Sequence, residues 1–441
     1  MVRKIQLCAL ILFTFLFSAS VFANPVDKIL NANPDFNSAI ISISVKDEDG
    51  VVLYEKNSKT LVHPASTLKL ITSAGLVDFL GKDYEFNTVI YKKLSKTYLK
   101  LSGDPLFSYQ DMLQLADQYK SRNTNIPKTI TVDDNIVDKI PFGIGWQWDD
   151  NANIHFPQLS PYVVNRNLFA LKARIAPRNT VVLESTREYK ENIVNKLHFG
   201  NSTNIQAERN LFDEKMPIVL TGMVSSNQTI YVPAKNPQKF FNNLFSVAFG
   251  SKIKFKSGNL PKFSKQEALV SHSLSDVVKQ INTYSDNLAA ELLLKTAGAV
   301  KTNTTGTTIG GLEIVKNYYS SKGVDFNSVQ LVDASGVSMN DYVTSDFMTD
   351  ALIVINNSRH ADFIKSSMSD GLNGTFKGRL MEFNGKLKVK TGTLANTSSV
   401  VGFMTTASGK KVVFSIILDN LPKNVNPKDF ENKIIRAINS L

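Results

Sequence analysis

The stretch Pro64-Ala65-Ser66-Thr67-Leu68-Lys69-Leu70-Ile71-Thr72 sets a serine and a lysine three positions apart at the head of an apolar run. Proline favours the first turn of a helix. Residues Leu68 to Leu80 keep a helical apolar pattern until Gly81 stops it. Ser66 is therefore expected where unpaired backbone N–H groups and the helix dipole favour developing negative charge. Lys69 falls on the same face about one turn away. An amine there reaches the hydroxyl and accepts its proton, provided burial and neighbouring cations depress its pKa. The pattern alone is weak, because Ser-x-x-Lys recurs at Ser251/Lys254 and Ser408/Lys411. Ser251 lies in a basic run and Ser408 in a hairpin turn, so neither opens a helix. In isolation Ser66 would more often be a helix cap and Lys69 a solvated lysine.

Two later motifs change that weighing. Ser285-Asp286-Asn287 stands between a helical run from Ser275 to Thr283 and another from Leu288 to Ala297. A serine and an asparagine on such a short loop can project into a cleft. Ser-x-Asn is common here, at Ser121, Ser202, Ser225, Ser257 and Ser338 as well, and a bare N-cap is its ordinary meaning. Lys390-Thr391-Gly392 occurs once and ends an alternating strand from Lys386 to Thr393. Lys390 there can hold a terminal carboxylate, the Thr391 hydroxyl can hydrogen-bond it, and Gly392 leaves room for a ligand to approach the backbone. A charged edge strand with a glycine bulge is the bland alternative. The ordered trio, each member on the expected kind of element, argues against coincidence.

No other chemistry competes. His63, His155, His198, His272 and His360 show no metal-ligand spacing, and the nucleophile-elbow, phosphate-loop and dinucleotide patterns are absent. Neither a metal nor a cofactor is expected, and the histidines receive no catalytic role.

The first residues speak for the compartment. Arg3 and Lys4 precede an apolar run from Ile5 to Phe17, and Val21-Phe22-Ala23 precedes Asn24-Pro25. Residues 1–23 read as a cleaved secretory signal, cut after Ala23. The run is short for a span of about 20 residues, and an uncleaved anchor is the minor alternative. Cys8, the one cysteine, lies inside that signal, so no disulfide or thiol chemistry is expected in the mature chain. The expected location is periplasmic. The formal charge is +11 and becomes +9 without Arg3 and Lys4. Export disfavours nucleic acid, whereas the anionic envelope and the carboxylates of cell-wall peptides are better partners. Plain solubility would also explain the charge.

About 418 mature residues suggest two or three domains. Residues Ala39 to Val45 and Val51 to Tyr54 flank an Asp-Gly turn and read as a hairpin. Ser399 to Thr405 and Val412 to Leu418 read as strands joined at Ser408-Gly409. Asn426-Pro427 opens a closing helix with Phe430, Ile434, Ile435 and Ile438 on one face. That helix packs on a sheet in one reading and lies on a membrane in the other, with few aromatic residues to favour the second. Between Phe86 and Pro261 the chain is rich in short β-like runs. Lys69 and Ser285 stand 216 positions apart, yet the chemistry needs one pocket. The most economical division puts 24–85 and 262–441 in a discontinuous catalytic domain. Residues 86–261 then form an inserted β-rich region of one or two domains.

Further stretches carry a specific resemblance. Leu80-Gly81-Lys82-Asp83-Tyr84-Glu85-Phe86, Gly103-Asp104-Pro105, the run from Gly145 to Asp150, Tyr284 to Glu291, Asp333 to Ser338 and Gly371 to Phe403 join the trio. Together they resemble the class C low-molecular-mass penicillin-binding proteins of the penicillin-binding protein 4 type, which are D-alanyl-D-alanine carboxypeptidase/endopeptidases. The ordered trio is shared by enzymes that acylate a serine with a D-Ala-D-Ala peptide or a β-lactam. The resemblance implies an α/β fold, a penicilloyl-serine-transferase-like domain with an antiparallel sheet and flanking helices, plus two nested β-rich domains. It implies removal of terminal D-Ala, or cleavage of D-Ala-to-diamino-acid cross-links, on peptidoglycan stem peptides. It also implies acylation by β-lactams.

On these positions Ser66 attacks, Lys69 takes its proton, and Ser285 with Lys390 relays a proton to the leaving amine. Asn287 orients the peptide and Lys69. Thr391, Gly392 and Thr393 face the substrate, with the backbone N–H groups of Ser66 and Thr393 as oxyanion donors. Asp150 contacts the free amino group of the diamino acid. Ala334 replaces a more usual glycine and Asn236 a more usual aspartate. A β-lactamase would need a Glu-x-x-Leu-Asn element after the Ser-Asp-Asn loop, which is missing. A transpeptidase, or a non-catalytic module that binds peptidoglycan or β-lactams, is the remaining alternative.

Overall fold

The computed structural model describes residues 24–185, 191–210, 212–213 and 215–441. The expected signal segment, with Cys8, lies outside them. The chain opens with α1 (Pro25–Asn31), a hairpin of β1 (Ile40–Asp47) and β2 (Val52–Lys56), and α2 (Leu68–Leu80). It continues through β3 (Glu85–Lys93), β4 (Lys96–Lys100), α3 (Tyr109–Arg122) and β5 (Thr129–Asp133). Six strands follow: β6 (Leu168–Ala176), β7 (Thr180–Ser185), β8 (Ile193–Phe199), β9 (Asn204–Glu208), β10 (Ile218–Val224) and β11 (Gln228–Pro233). Then come α4 (Pro237–Phe249), β12 (Lys254–Ser257) and β13 (Lys265–Ser273). Helices α5 (Leu274–Tyr284), α6 (Asn287–Thr302), α7 (Thr308–Ser320), α8 (Ser345–Asn356) and α9 (Ala361–Ser366) precede β14 (Leu387–Leu394), β15 (Thr397–Thr405), β16 (Lys411–Asp419) and α10 (Pro427–Ile438).

The first sheet has the order β14-β15-β16-β1-β2, antiparallel throughout. Both of its faces are covered. Val401, Phe403, Val413 and Ile417 pack into one cluster with α2, α5, α6, α7 and α8. Val389, Val400, Phe414, Ile416 and Leu418 pack with α1 and α10. The closing helix therefore sits on the sheet, with Phe430, Ile434, Ile435 and Ile438 buried. Alternation in β1 serves both layers. Ile41, Ile43 and Val45 join the α1/α10 side. The Ser42 and Ser44 hydroxyls meet those of Ser345 and Thr349 on α8, each at 2.8 Å. Helix α2 runs through the middle, buried from Leu68 to Val77. A helix with so little exposed surface is an interior element, which is how a lysine at position 69 comes to be dry.

The inserted chain forms two more sheets. One has the order β12-β5-β4-β3-β13, so β13, beyond residue 261, pairs with β3 along its length. The other, β11-β6-β7-β8-β10-β9, lies in sequence between β5 and β12. One hydrophobic cluster runs under both, with Ile90, Leu99 and Ile130 from the first and Leu171, Leu220 and Val232 from the second. Helix α4 fills it with Phe240, Phe241, Phe245 and Phe249. A small cluster of Val137, Leu159, Val163, Leu288 and Leu292, with Ile136 and Trp146 against it, seals the inserted chain to α6. That seam positions the site.

Candidate active site

Ser66 lies in a single 3-10 turn, Ala65–Thr67, that leads into α2. The sequence pattern implies an ordinary helix start, but Ala65 has φ 49 and tightens the entry. The turn is tied by Thr67 Oγ1 and Ser399 Oγ, which donate to the Pro64 carbonyl at 2.6 and 2.7 Å. Two glycines press on it. A Cβ on Gly336 (φ 70) would collide with the Ala65 carbonyl oxygen. One on Gly392 would meet Ala65 Cβ and Ser66 N, each at 2.9 Å. Gly392 therefore makes room for the serine turn and for the Ser399 hydroxyl, because β14 runs directly beside them.

Lys69 Nζ donates to Ser66 Oγ at 2.8 Å and to the Ser335 carbonyl at 2.7 Å. Complete burial pulls its pKa down to about 8, against the opposing pull of Asp333, Glu291, Asp286 and Asp341. An amine in that range is a working proton acceptor near neutral pH.

Ser285 adopts φ 60 at the end of α5, and Lys390 Nζ donates to its Oγ at 2.8 Å and to the Thr391 carbonyl at 2.8 Å. Lys390 is also fully buried, and its pKa falls well below the ordinary lysine value through desolvation, then through repulsion by Lys69 and Lys428. Two serine–lysine pairs thus stand close enough for the Lys69 charge to act on Lys390. Thr391 Oγ1 meets Thr375 Oγ1 at 2.6 Å, while Thr393 is exposed at the end of the strand. Strand β14 is an edge of its sheet, so one side of this segment is not occupied by a neighbouring strand.

Lys428 was not among the sequence candidates. It lies in the first turn of α10, and its Nζ donates to Ser398 Oγ at 2.7 Å and to the Gly392 carbonyl at 3.3 Å. No local motif marks it, since only the docking of α10 brings it to the site.

Asn287 opens α6 behind Asp286, whose side chain caps the helix by accepting from Ala289 N at 3.1 Å. The Asn287 amide donates to the His155 carbonyl at 2.9 Å, and its Oδ1 is buried with no partner among the described residues. No hydrogen bond joins it to Lys69, in contrast to the role expected from the resemblance. The inserted chain approaches instead, since the segment around His155 lies over the mouth of α6. Arg166, from the same region, pairs with Asp286 at 2.6 Å.

Asp150 sits in a 3-10 turn, Trp148–Ala152, and no hydrogen bond or ion pair joins it to Ser66, Lys69, Ser285 or Lys390. Burial raises its pKa, opposed by Asn153. Its segment is anchored to the pocket through Trp146, whose Nε1 donates to Asp333 Oδ2 at 2.9 Å.

Beneath Lys69 lies a group of buried carboxylates. Glu291 Oε1 accepts from Ala334 N at 3.0 Å and Ser335 N at 2.9 Å. Asp333 accepts from Gly336 N at 2.6 Å, Ser338 N at 3.1 Å and Ser335 Oγ at 2.9 Å. These bonds orient the Ser335 carbonyl that holds Lys69. Burial, then the charge of Asp333, raises the pKa of both Glu291 and Asp341. Glu291 and Asp333 stood inside the resembling stretches and Asp341 just beyond them, but nothing in their spacing marked a role. Among the described residues no cluster has the makings of a metal site.

Residues 22–440 match the family described as D-Ala-D-Ala carboxypeptidase 3 (S13). The chain belongs to this family. It is therefore a serine-type DD-peptidase, a hydrolase. The chain is 25% identical over 433 residues to a D-alanyl-D-alanine carboxypeptidase of Actinomadura sp. (strain R39), covering 89% of this chain and 80% of that protein. It is 23% identical to the D-alanyl-D-alanine carboxypeptidase DacB of Haemophilus influenzae, covering 96% of this chain and 93% of the relative. The crystal structure of penicillin binding protein 4 (dacB) from Haemophilus influenzae superposes with a TM-score of 0.79 at 18% identity, over 93% of this chain and 98% of that one. At that identity the likeness speaks for the fold, which is the α/β penicilloyl-serine-transferase type.

Both positions at which the resemblance leads one to expect another residue are satisfied locally. Ala334 is not in the left-handed region, so it needs no glycine, and its N–H is satisfied by Glu291. Asn236 caps α4 by accepting from Lys239 N at 2.9 Å, as an aspartate would.

Proposed function

We propose that this S13 peptidase works through a Ser66 acyl-enzyme on peptidoglycan stem peptides, as carboxypeptidase and as cross-link endopeptidase. The observation that carries the reading is the pair of serine–lysine contacts, Ser66–Lys69 and Ser285–Lys390, each at 2.8 Å, with both lysines buried. Ser66 Oγ gives its proton to neutral Lys69 and bonds to the carbonyl carbon of the penultimate D-Ala. The C–N bond then breaks, and the proton held on Lys69 passes through Ser285 to the leaving amine. Lys390 holds the Ser285 hydroxyl in line. Water next attacks the ester, with Lys69 again taking the proton and returning it to Ser66 Oγ as the ester C–O bond breaks and the carboxylate leaves. Asn287 orients the peptide. Thr391 and Thr393, beside Lys390 and Gly392, receive the terminal carboxylate, and the backbone N–H groups of Ser66 and Thr393 hold the oxyanion. One such donor is typically worth about 10²–10³ in rate. Asp150 takes the free amino group of the diamino acid when the substrate is a cross-link.

The related penicillin binding protein 4 has been seen complexed with a β-lactam, and the same acylation is proposed for Ser66. Residues 1–23 are proposed to be removed on export, leaving a periplasmic enzyme. Directly after the proposed cut, Asn24 caps α1 by accepting from Val26 N. Among the described residues no helix is long and apolar enough to cross a membrane.

The test is mass analysis of purified muropeptides, uncross-linked pentapeptide and cross-linked dimer together, incubated with residues 24–441 and with Ser66→Ala. Loss of D-Ala and splitting of the dimer are expected, both abolished in Ser66→Ala. Turnover that persists in the variant would overturn the acyl-enzyme. An intact dimer beside trimmed pentapeptide would remove the endopeptidase half.

A further inference from the structure

The far end of the β12-β5-β4-β3-β13 sheet breaks two rules of a protein surface at once. Leu94, in the two-residue turn joining β3 to β4, is 92% exposed and has φ 54. Phe263, in the turn before β13, is 98% exposed and has φ 58. Bulky side chains are outliers in the left-handed region, and neither residue recovers that strain through packing. An outlier of this kind is evidence of function when the surroundings hold it in place. Here they do. Lys93 pairs with Lys96 across the turn and Lys92 with Lys265 across the next strand. Lys93 Nζ also donates to the Lys262 carbonyl at 2.7 Å, which fixes the second turn beside the first.

The same contacts set the charge. Lys93, Lys96, Lys262 and Lys265 stand at or beside the two turns that carry the apolar side chains, while Lys92 donates to Asn123 at 2.8 Å. The nearby carboxylate of Glu267 is buried and taken up by Lys265 at 3.1 Å. Two apolar tips in a lysine collar suit the headgroup boundary of an anionic bilayer. There the apolar groups leave water while the ammonium groups stay among the phosphates. The catalytic pocket lies beyond the opposite end of this sheet, where Glu85 and Ser273 lead into α2 and α5.

We propose that Leu94 and Phe263 form a peripheral docking tip that inserts into an anionic phospholipid surface. Docked this way, the enzyme stands on the membrane with its acylation pocket held away from it. The proposal does not depend on which muropeptide is cut.

Co-sedimentation with phosphatidylethanolamine/phosphatidylglycerol vesicles tests it, with phosphatidylcholine vesicles as the comparison. The protein is residues 24–441. Binding to the anionic vesicles is expected to be at least about tenfold tighter and to weaken with salt. Leu94→Asn with Phe263→Asn removes the apolar groups without changing charge, and asparagine tolerates the left-handed region. That variant should lose about tenfold or more in binding, with melting temperature and penicillin acylation unchanged. A wild-type protein that stays in the supernatant with anionic vesicles overturns the proposal. So does a double variant that binds like wild type, since the contact would then be charge alone.

Discussion

The sheet that carries Lys390 and the sheet built from β6 to β11 differ in how they meet water. In the first, β15 and β16 are buried almost end to end, with helices on both faces. In the second, β7, β8 and β9 have burial on alternate positions at best, and much of β8 is exposed. Buried strands cannot shift without opening two cores, so they hold reacting atoms to within the tolerance that proton transfer needs. The half-covered sheet has no such constraint, and the two serine–lysine pairs take none of their atoms from it. Precision sits where burial is two-sided.

The comparison is broken most directly at Lys69. A guanidinium stays protonated at any working pH, so Lys69→Arg should slow penicillin acylation by about 10²–10⁴. In the proposed mechanism the neutral amine is the acceptor. The acylation rate should therefore climb as pH rises through about 8 and flatten above it, as followed by stopped-time labelling. A flat profile across that range would exclude Lys69 as the base.

A smaller effect is expected at Glu291. Removing its carboxylate in Glu291→Ala strands the Ala334 and Ser335 N–H groups in a dry interior, at about 1–3 kcal/mol each. Both melting temperature and acylation rate should drop, the second because the Ser335 carbonyl no longer holds Lys69. Glu291→Gln keeps one acceptor oxygen and should recover much of both. Equal damage from the two variants would point to charge rather than positioning.

The smallest effect on chemistry should come from the inserted core. Leu220→Ala in β10 and Ile417→Ala in β16 each empty a fully buried site, at about 2–5 kcal/mol. Ile417→Ala should slow acylation as well as lower stability. Leu220→Ala should melt the inserted region earlier, by calorimetry, and leave acylation by penicillin where it was. If the two variants lost activity together, the two regions would be one cooperative unit.

Much of the first sheet was legible because its signals are local. The β1–β2 hairpin, the β15–β16 pair and the amphipathic α10 all follow from alternation, turn residues and a 3.6-residue period. The limits of the insertion were harder to read. Strand β13 lies past Pro261, where the change in texture ends, and pairs with β3 from some 170 positions earlier. Register across such a gap leaves no local trace. Gly392 was legible as a required glycine, and the atoms that require it belong to the Ser66 turn and to Ser399.

The sequence by itself determined which side chains are candidates for the chemistry, because a nucleophile, its base and a relay pair must be specific residue types at short spacings on a helix, a loop and a strand. Tertiary structure alone decided their condition. Burial of α2 and β14 makes Lys69 and Lys390 poor holders of a proton, and the docking of α10 adds Lys428. The inserted chain reaches Asn287 and Asp286 through His155 and Arg166, and Glu291 with Asp333 sets the carbonyl that aims the base. These are properties of desolvation and of contacts between distant segments. Neither is written in the spacing of neighbouring residues.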